Sequence, residues 1–469
     1  IMRRISFMAE KIDYSKGIYD AKQLGTPKLL ILGAQHMFAM FGATILVPIL
    51  TGLDISTTLL MAGLGTLLFH CITKFKVPAF LGSSFAFLGG YAAIKAFSPN
   101  DPNSMLPYAC LGVACAGLIY FILAAVIKAV GIEKVMRFFP PVVTGPIIIA
   151  IGLGLAPSAV SNCTTNWFLA VVALAVIVVF NIWGKGMAKI IPIILGLLIS
   201  YGTGLVLYFI SQANPDLIQN VPWLFSGGAD ANGVYQPIFD FTSLNTICDN
   251  ISKGHIFGSE GLIGIPIHWD QTVFGGIDYS NGALIASSII AIVPIAFATM
   301  MEHIGDICAI SSTTGNNYIK DPGLHRTLVG DGLATTLASL FGGPANTTYG
   351  ENTGVLALTR VYDPRVIRIA AYFAVAVSFF PIVSVIIGSI PSCIIGGISF
   401  VLYGMISAIG VRNVVENKVD FTKSRNLIVA AVILVCALGL SSDTVSFTIG
   451  SAAITLSPLA VASIAGIVL

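Results

Sequence analysis

Apolar runs long enough to cross a bilayer recur along the whole chain, and few folds can accommodate them. A membrane helix needs about 20 mostly apolar residues. Fourteen candidate spans fall at 28–50, 56–73, 77–95, 107–130, 138–160, 166–183, 190–212, 283–310, 326–342, 343–360, 364–389, 391–411, 425–441 and 447–469. Of the 469 residues, 56% are hydrophobic and 10% charged, against roughly 25% charged in an ordinary soluble domain. This excludes a cytosolic enzyme, a nucleic-acid binder and a disordered chain. It leaves an all-α polytopic membrane protein. The first span is no signal peptide, because residues 1–27 precede it and no small-residue cleavage site follows.

The net charge of +2 points to no acidic partner, but the placement of the cations is informative. Lys and Arg collect in cytoplasmic loops. With the N-terminus inside, 22 of the 24 Lys and Arg fall on the inner side, and only Lys95 and Lys253 lie outside. A wrong span count would scramble this alternation. Both termini are therefore expected in the cytoplasm, in the plasma (inner) membrane. The chain starts at Ile1 and stops within an apolar run at Leu469, so a leading Met and a polar tail are expected beyond it.

Weak self-similarity joins the two halves. Gln35-His36 answers Glu302-His303, Gly63-Leu64-Gly65-Thr66 answers Gly332-Leu333-Ala334-Thr335, and Pro78-Ala79 answers Pro344-Ala345, at offsets of 267, 269 and 266. Seven spans per half is odd, so the halves would enter the membrane from opposite sides. Such inverted repeats build secondary transporters, whose interrupted helices mark the substrate site. Spans 3 and 10 are interrupted alike, by P-A-F-L-G-S-S-F-A-F (78–87) and P-A-N-T-T-Y-G-E-N (344–352). Non-helical backbone at membrane depth survives only inside protein or along a cavity. Two short extended segments are thus expected near the midplane, each leading into a half-helix whose free N–H groups face a ligand.

Carboxylates in spans usually mark ion or substrate paths. Glu351 is the middle of its span, Glu302 lies roughly 8 Å inward of the midplane, and Asp306 is one turn beyond Glu302 on the same face. Asp331, near Arg326, is expected to be structural. His36, His70 and His303 also lie in spans, where a lone His is more often a packing residue than a proton carrier; His36 is kept as a coupling candidate. No Cys/His spacing suggests a metal, and no cofactor is expected. Cys163 and Cys248 both fall in outer loops, which leaves a disulfide open. The absence of a Walker loop, nucleophile elbow or HExxH pattern speaks against ATP-driven pumping and hydrolysis.

At span 10 the sequence becomes specific. E-N-T-G-V-L-A-L-T-R (351–360) resembles the signature of the nucleobase/ascorbate transporter family. N-T-T-Y-G-E-N (346–352), A-Q-H-M-F-A-M-F-G-A-T (34–44), P-A-F-L-G-S-S-F-A-F (78–87), M-E-H-I-G-D (301–306) and D-P-G-L-H-R (321–326) resemble its bacterial uracil permease branch. The resemblance implies fourteen spans in two inverted seven-span repeats. After a cytoplasmic segment (1–27), it implies a core domain (28–130 and 283–389), a gate domain (138–212 and 391–469) and a long outer loop (213–282). It implies that Glu302 and Glu351 hold the base, that backbone groups at Phe85 and Gly350 complete the contacts, that protons are co-transported, and that the protein is a homodimer. Ser84 and Tyr349, in the same broken segments, join the candidate contacts. Candidates for proton coupling are Glu351, Glu302, Asp306 and His36.

The chemistry of uracil agrees. Its two N–H donors suit carboxylates, its two carbonyls suit backbone N–H groups, and Phe85 could stack on the ring. Two carboxylates sharing a desolvated site favour retaining a proton between them. The uracil permease pattern has His at the position of Asp306, which leaves xanthine or another purine base as the alternative substrate. Glu351 pulls back towards uracil, since xanthine and urate carriers more often have Gln there. An ion channel, the alternative of another class, would need a continuous polar lining. The outer loop, with seven acidic residues and one Lys, has no assigned role.

Overall fold

The computed structural model describes residues 17–135, 140–440, 446–449, 452–455 and 458–469. In chain order its main elements begin with α1 (Thr26–Thr51), α2 (Ile55–Ile72), β1 (Leu81–Ser83), α3 (Leu88–Lys95), α4 (Leu106–Val130), α5 (Pro141–Cys163), α6 (Trp167–Trp183) and α7 (Pro192–Ala213). The long loop 213–282 follows, with β2 (Ser226–Ala229), β3 (Tyr235–Pro237) and α8 (Thr242–Ser252). Next come α9 (Gly282–Ile292), α10 (Ala296–Thr314), α11 (Leu324–Leu340), β4 (Asn346–Thr348), α12 (Gly350–Thr359), α13 (Pro364–Ser378) and α14 (Pro381–Gly388). Last are α15 (Ser392–Glu416), α16 (Ser424–Gly439), β5 (Ser446–Ile449), β6 (Ala452–Thr455) and α17 (Pro458–Val468).

The fold is mostly helical. Among the described residues seven helical stretches are long and apolar enough to cross a membrane, or eight if the bent pair α13–α14 is one span. Several expected spans differ from single helices, and proline is the usual reason. Span 8 is α9 and α10 joined by a tight turn holding Pro294. Span 11 breaks before Pro381, where the chain bends by 87°. Proline lacks an N–H and disfavours helical geometry in the residue before it, here Phe380. Span 14 is likewise not one helix. Its described residues form the antiparallel pair β5–β6 and then α17, which starts at Pro458. Residues 1–16 of the N-terminal segment lie outside the described residues. Cys163, buried, and Cys248, exposed, are both free thiols, so the disulfide is not formed.

The helices pack in two groups. In one, α11 lies against α2 and α4, and α13 against α1 and α2. In the other, α15 lies against α5 and α6, and α16 against α5 and α17. The α5–α15 contact needs glycine. A Cβ on Gly152 would stand 2.2 Å from the Tyr403 carbonyl, so the two backbones touch, as small residues allow in membranes. Residues ahead of α1 dock on the chain after α12. The Ile18 N–H donates to the Arg360 carbonyl (2.8 Å), the Tyr362 N–H donates to Ile18 (2.7 Å), and Arg365 pairs with Asp20 (2.6 Å).

Candidate functional site

The two broken segments meet. β1 and β4 pair antiparallel, with Leu81 opposite Thr348, Gly82 opposite Thr347 and Ser83 opposite Asn346. The ladder continues through Ser84 N–H to the Ala345 carbonyl (2.8 Å) and Tyr349 N–H to Phe80 (3.0 Å). Extended backbone at membrane depth must satisfy its own polar groups, and on its inner side each strand here does so through the other. Gly82 has to be glycine, because a Cβ would meet the Tyr349 ring at 2.4 Å. That ring lies across β1, and its hydroxyl donates to the Ser83 carbonyl (2.9 Å) while the Thr44 hydroxyl approaches it (3.4 Å).

Each strand leads into a short helix. After β1 come Ser84, Phe85 and α3. Ser84 is fully buried, and its hydroxyl has no partner among the described residues. Phe85 is buried and meets Tyr403 of α15 edge-on, with ring centroids 6.0 Å apart. It therefore joins the two groups of helices. After β4, Tyr349 leads into α12, whose first turn has no side-chain cap. Gly350 opens that turn, and a Cβ there would meet nothing within 4 Å. Glu351 follows, half-buried. Glu302 and Asp306, also half-buried, sit one turn apart on α10. Glu302 lies within electrostatic reach of Glu351 and Asp331, and Asp306 within reach of all three.

The histidines divide by partner. The Asn352 amide donates to the His36 carbonyl (3.0 Å) and lies 3.2 Å from its Nδ1, which ties α1 to α12. His303 Nδ1 lies 3.3 Å from the Asp331 carboxylate and 3.1 Å from the Thr348 hydroxyl, all buried. His70 Nε2 contacts the Ala79 carbonyl at 2.9 Å. The placing of Thr348, Asn352, Tyr403 and the His303–Asp331 pair beside these candidates was not legible, because each contact joins elements distant in sequence. The matched Gln35-His36 and Glu302-His303 pairs were the available signal. Among the described residues no group of three His, Cys, Asp or Glu is arranged to hold a metal ion.

Carboxylates beside uncapped helix N–H groups and an aromatic wall suit a flat, neutral ligand carrying both donors and acceptors. A sequence model described as "Permease family" matches residues 27–445. The chain belongs to the nucleobase/ascorbate transporter family. The uracil permease of Bacillus subtilis (strain 168) is 38% identical to this transporter over 448 residues, 93% of the chain and 90% of the relative. That of Bacillus caldolyticus is 37% identical over 421 residues, 87% and 85% of the two chains. A putative pyrimidine permease of Escherichia coli (strain K12) is 35% identical, covering 90% and 85%. In fold, the transporter is similar to the transmembrane domain of a cyanobacterium bicarbonate transporter, BicA, with a TM-score of 0.61 at 12% identity over 96% of this chain and 99% of that one. SLC26A9 matches with a TM-score of 0.52 at 12% identity, over 96% of this chain and 65% of that one. At such identity the likeness speaks for the fold alone. This transporter is a multi-pass membrane protein and not an enzyme.

Proposed function

We propose that the protein imports uracil together with protons by alternating access. The observation that carries this reading is that α10 packs against α12, with Glu302 within electrostatic reach of Glu351 at the uncapped start of α12. In this mechanism Glu302 and Glu351 accept hydrogen bonds from the two N–H groups of the base. Backbone N–H groups near Phe85 and Gly350 donate to its carbonyls, and Phe85 covers the ring. Charge-assisted bonds of this kind are the strong ones. Two of the relatives are uracil permeases, at 37% and 38% identity, which supports the substrate. Asp306 favours a second reading, a purine base such as xanthine, because it changes the charge beside Glu302.

The wider architecture belongs to the same proposal. Fourteen spans in two inverted repeats would form a core (28–130 and 283–389) and a gate (138–212 and 391–469), in keeping with the two helix groups. Both termini would be cytoplasmic, in the plasma membrane, with gate domains pairing into a homodimer. Uptake of a nucleobase panel by proteoliposomes, with and without a pH gradient, tests substrate and coupling together. Uracil should accumulate only with acid outside, and xanthine should not compete. Glu302→Ala should weaken uracil binding by about 10- to 150-fold, the equivalent of about 1.5–3 kcal/mol. Wild-type affinity by calorimetry in detergent would remove Glu302 from the site.

A further inference from the structure

The sheet β1–β4 has two outer edges, and a bare strand edge at membrane depth is not tolerated. Two threonines close these edges, one from each half of the chain. Thr66 of α2 accepts from the Leu81 N–H (2.9 Å) and donates to the Leu81 carbonyl (3.2 Å). Thr335 of α11 accepts from the Asn346 N–H (3.2 Å) and donates to the Asn346 carbonyl (2.8 Å). A hydroxyl has one donor and two acceptor sites, so each threonine holds both polar groups of one strand residue. Some other buried threonines spend the hydroxyl within their own helix. Thr51, Thr73 and Thr314 donate to the carbonyl four residues back in their own helix. Thr66 and Thr335 turn the same group outward, onto a strand.

The surroundings make the grip tight. Thr66 and Thr335 are buried, at 0% and 1% exposure. Gly65 leaves room for the Asn346 side chain, since a Cβ there would stand 2.3 Å from its amide nitrogen. That amide donates to the Met61 (3.2 Å) and Ala334 (3.4 Å) carbonyls, so β4 is bound to α2 and α11 together. The register then matters. Leu81 precedes Phe85 by four residues, and Asn346 precedes Gly350 by four. Each threonine thus holds its strand at the same distance from a proposed contact residue.

We propose that Thr66 and Thr335 are a matched pair of positioning residues that fix Phe85 and Gly350–Glu351 against the substrate. This rests on the nucleobase-binding reading of the site. Thr66→Val and Thr335→Val keep the side-chain volume and remove the hydroxyl. The test is uracil affinity by calorimetry on the folded, monodisperse fraction in detergent. Each Val variant should bind about ten-fold or more weakly, and each Thr→Ser variant should return to within about three-fold of wild type. A merely structural hydroxyl would lower the yield of folded protein while the folded fraction kept wild-type affinity, and that result would overturn the proposal. If a Val variant does not fold, Thr66→Cys and Thr335→Cys decide instead. They should bind at least about three-fold more weakly, and wild-type affinity in both would overturn it. Wild-type protein that binds no nucleobase would sink the functional reading and this inference together. Wild-type binding with unaffected variants would sink the inference alone.

Discussion

Glu351 stands at the second position of α12, where the uncapped N–H groups of the first turn favour a negative charge. A coupling carboxylate must keep its contacts to the base whether or not it carries the proton. Glu351→Gln fixes the neutral form in place. The variant should still bind uracil measurably, yet lose accumulation driven by a proton gradient. Exchange of base across the membrane, which needs no net proton movement, should continue. Gradient-driven accumulation at the wild-type level would take Glu351 out of the proton path and leave Asp306 as the leading candidate. Glu302 and Glu351 stood out as candidates in the sequence because a carboxylate in an apolar run has few structural reasons to be there, and the fold brings them within electrostatic reach of each other. Asp331 was read as structural from its closeness to Arg326, and the contact its carboxylate makes, 3.3 Å from His303 on another helix, was not legible. That partner is set by packing between α10 and α11, which no local pattern encodes.

Among elements, hydrophobic length located the seven long apolar helical stretches, and Gly, Ser, Thr and Asn inside spans 3 and 10 marked the strands. The break in span 11 escaped this reading, because hydropathy averages over a proline that geometry cannot ignore. The break also gives the long loop 213–282 a contact. The Gly264 N–H donates to the Phe379 carbonyl at the bend (2.9 Å), and the Thr57 hydroxyl donates to Pro266 (2.8 Å). Gly264 has no room to grow. A Cβ would lie 2.8 Å from both the Pro381 ring and the Gly258 carbonyl oxygen. Gly264→Val should therefore push the loop from the bend and lower stability by about 1–3 kcal/mol, as overpacking does. Thermal unfolding in detergent would show it as an earlier midpoint. An unchanged midpoint would mean that the loop carries no load there.

For the whole molecule, the decisive sequence feature is the sidedness of charge. Lysine and arginine resist translocation, so their loops stay on the side of synthesis. The assignment puts residues 213–282, with their acidic excess, outside, and the turn between α6 and α7 inside. It can be checked without any knowledge of substrate. Ser259 is exposed in the long loop 213–282, and Lys185 is exposed in the turn before α7. The native cysteines must first be replaced, since Cys248 and Cys71 are themselves exposed. Cysteine at position 259 should then react with a membrane-impermeant thiol reagent added to intact cells. Cysteine at position 185 should react only after the membrane is opened. Both sites are accessible in the fold, so a difference in labelling reports the side of the membrane and not burial. Labelling of position 185 alone in intact cells would invert the topology. The proposed direction of proton-driven uptake would then have to be reversed with it.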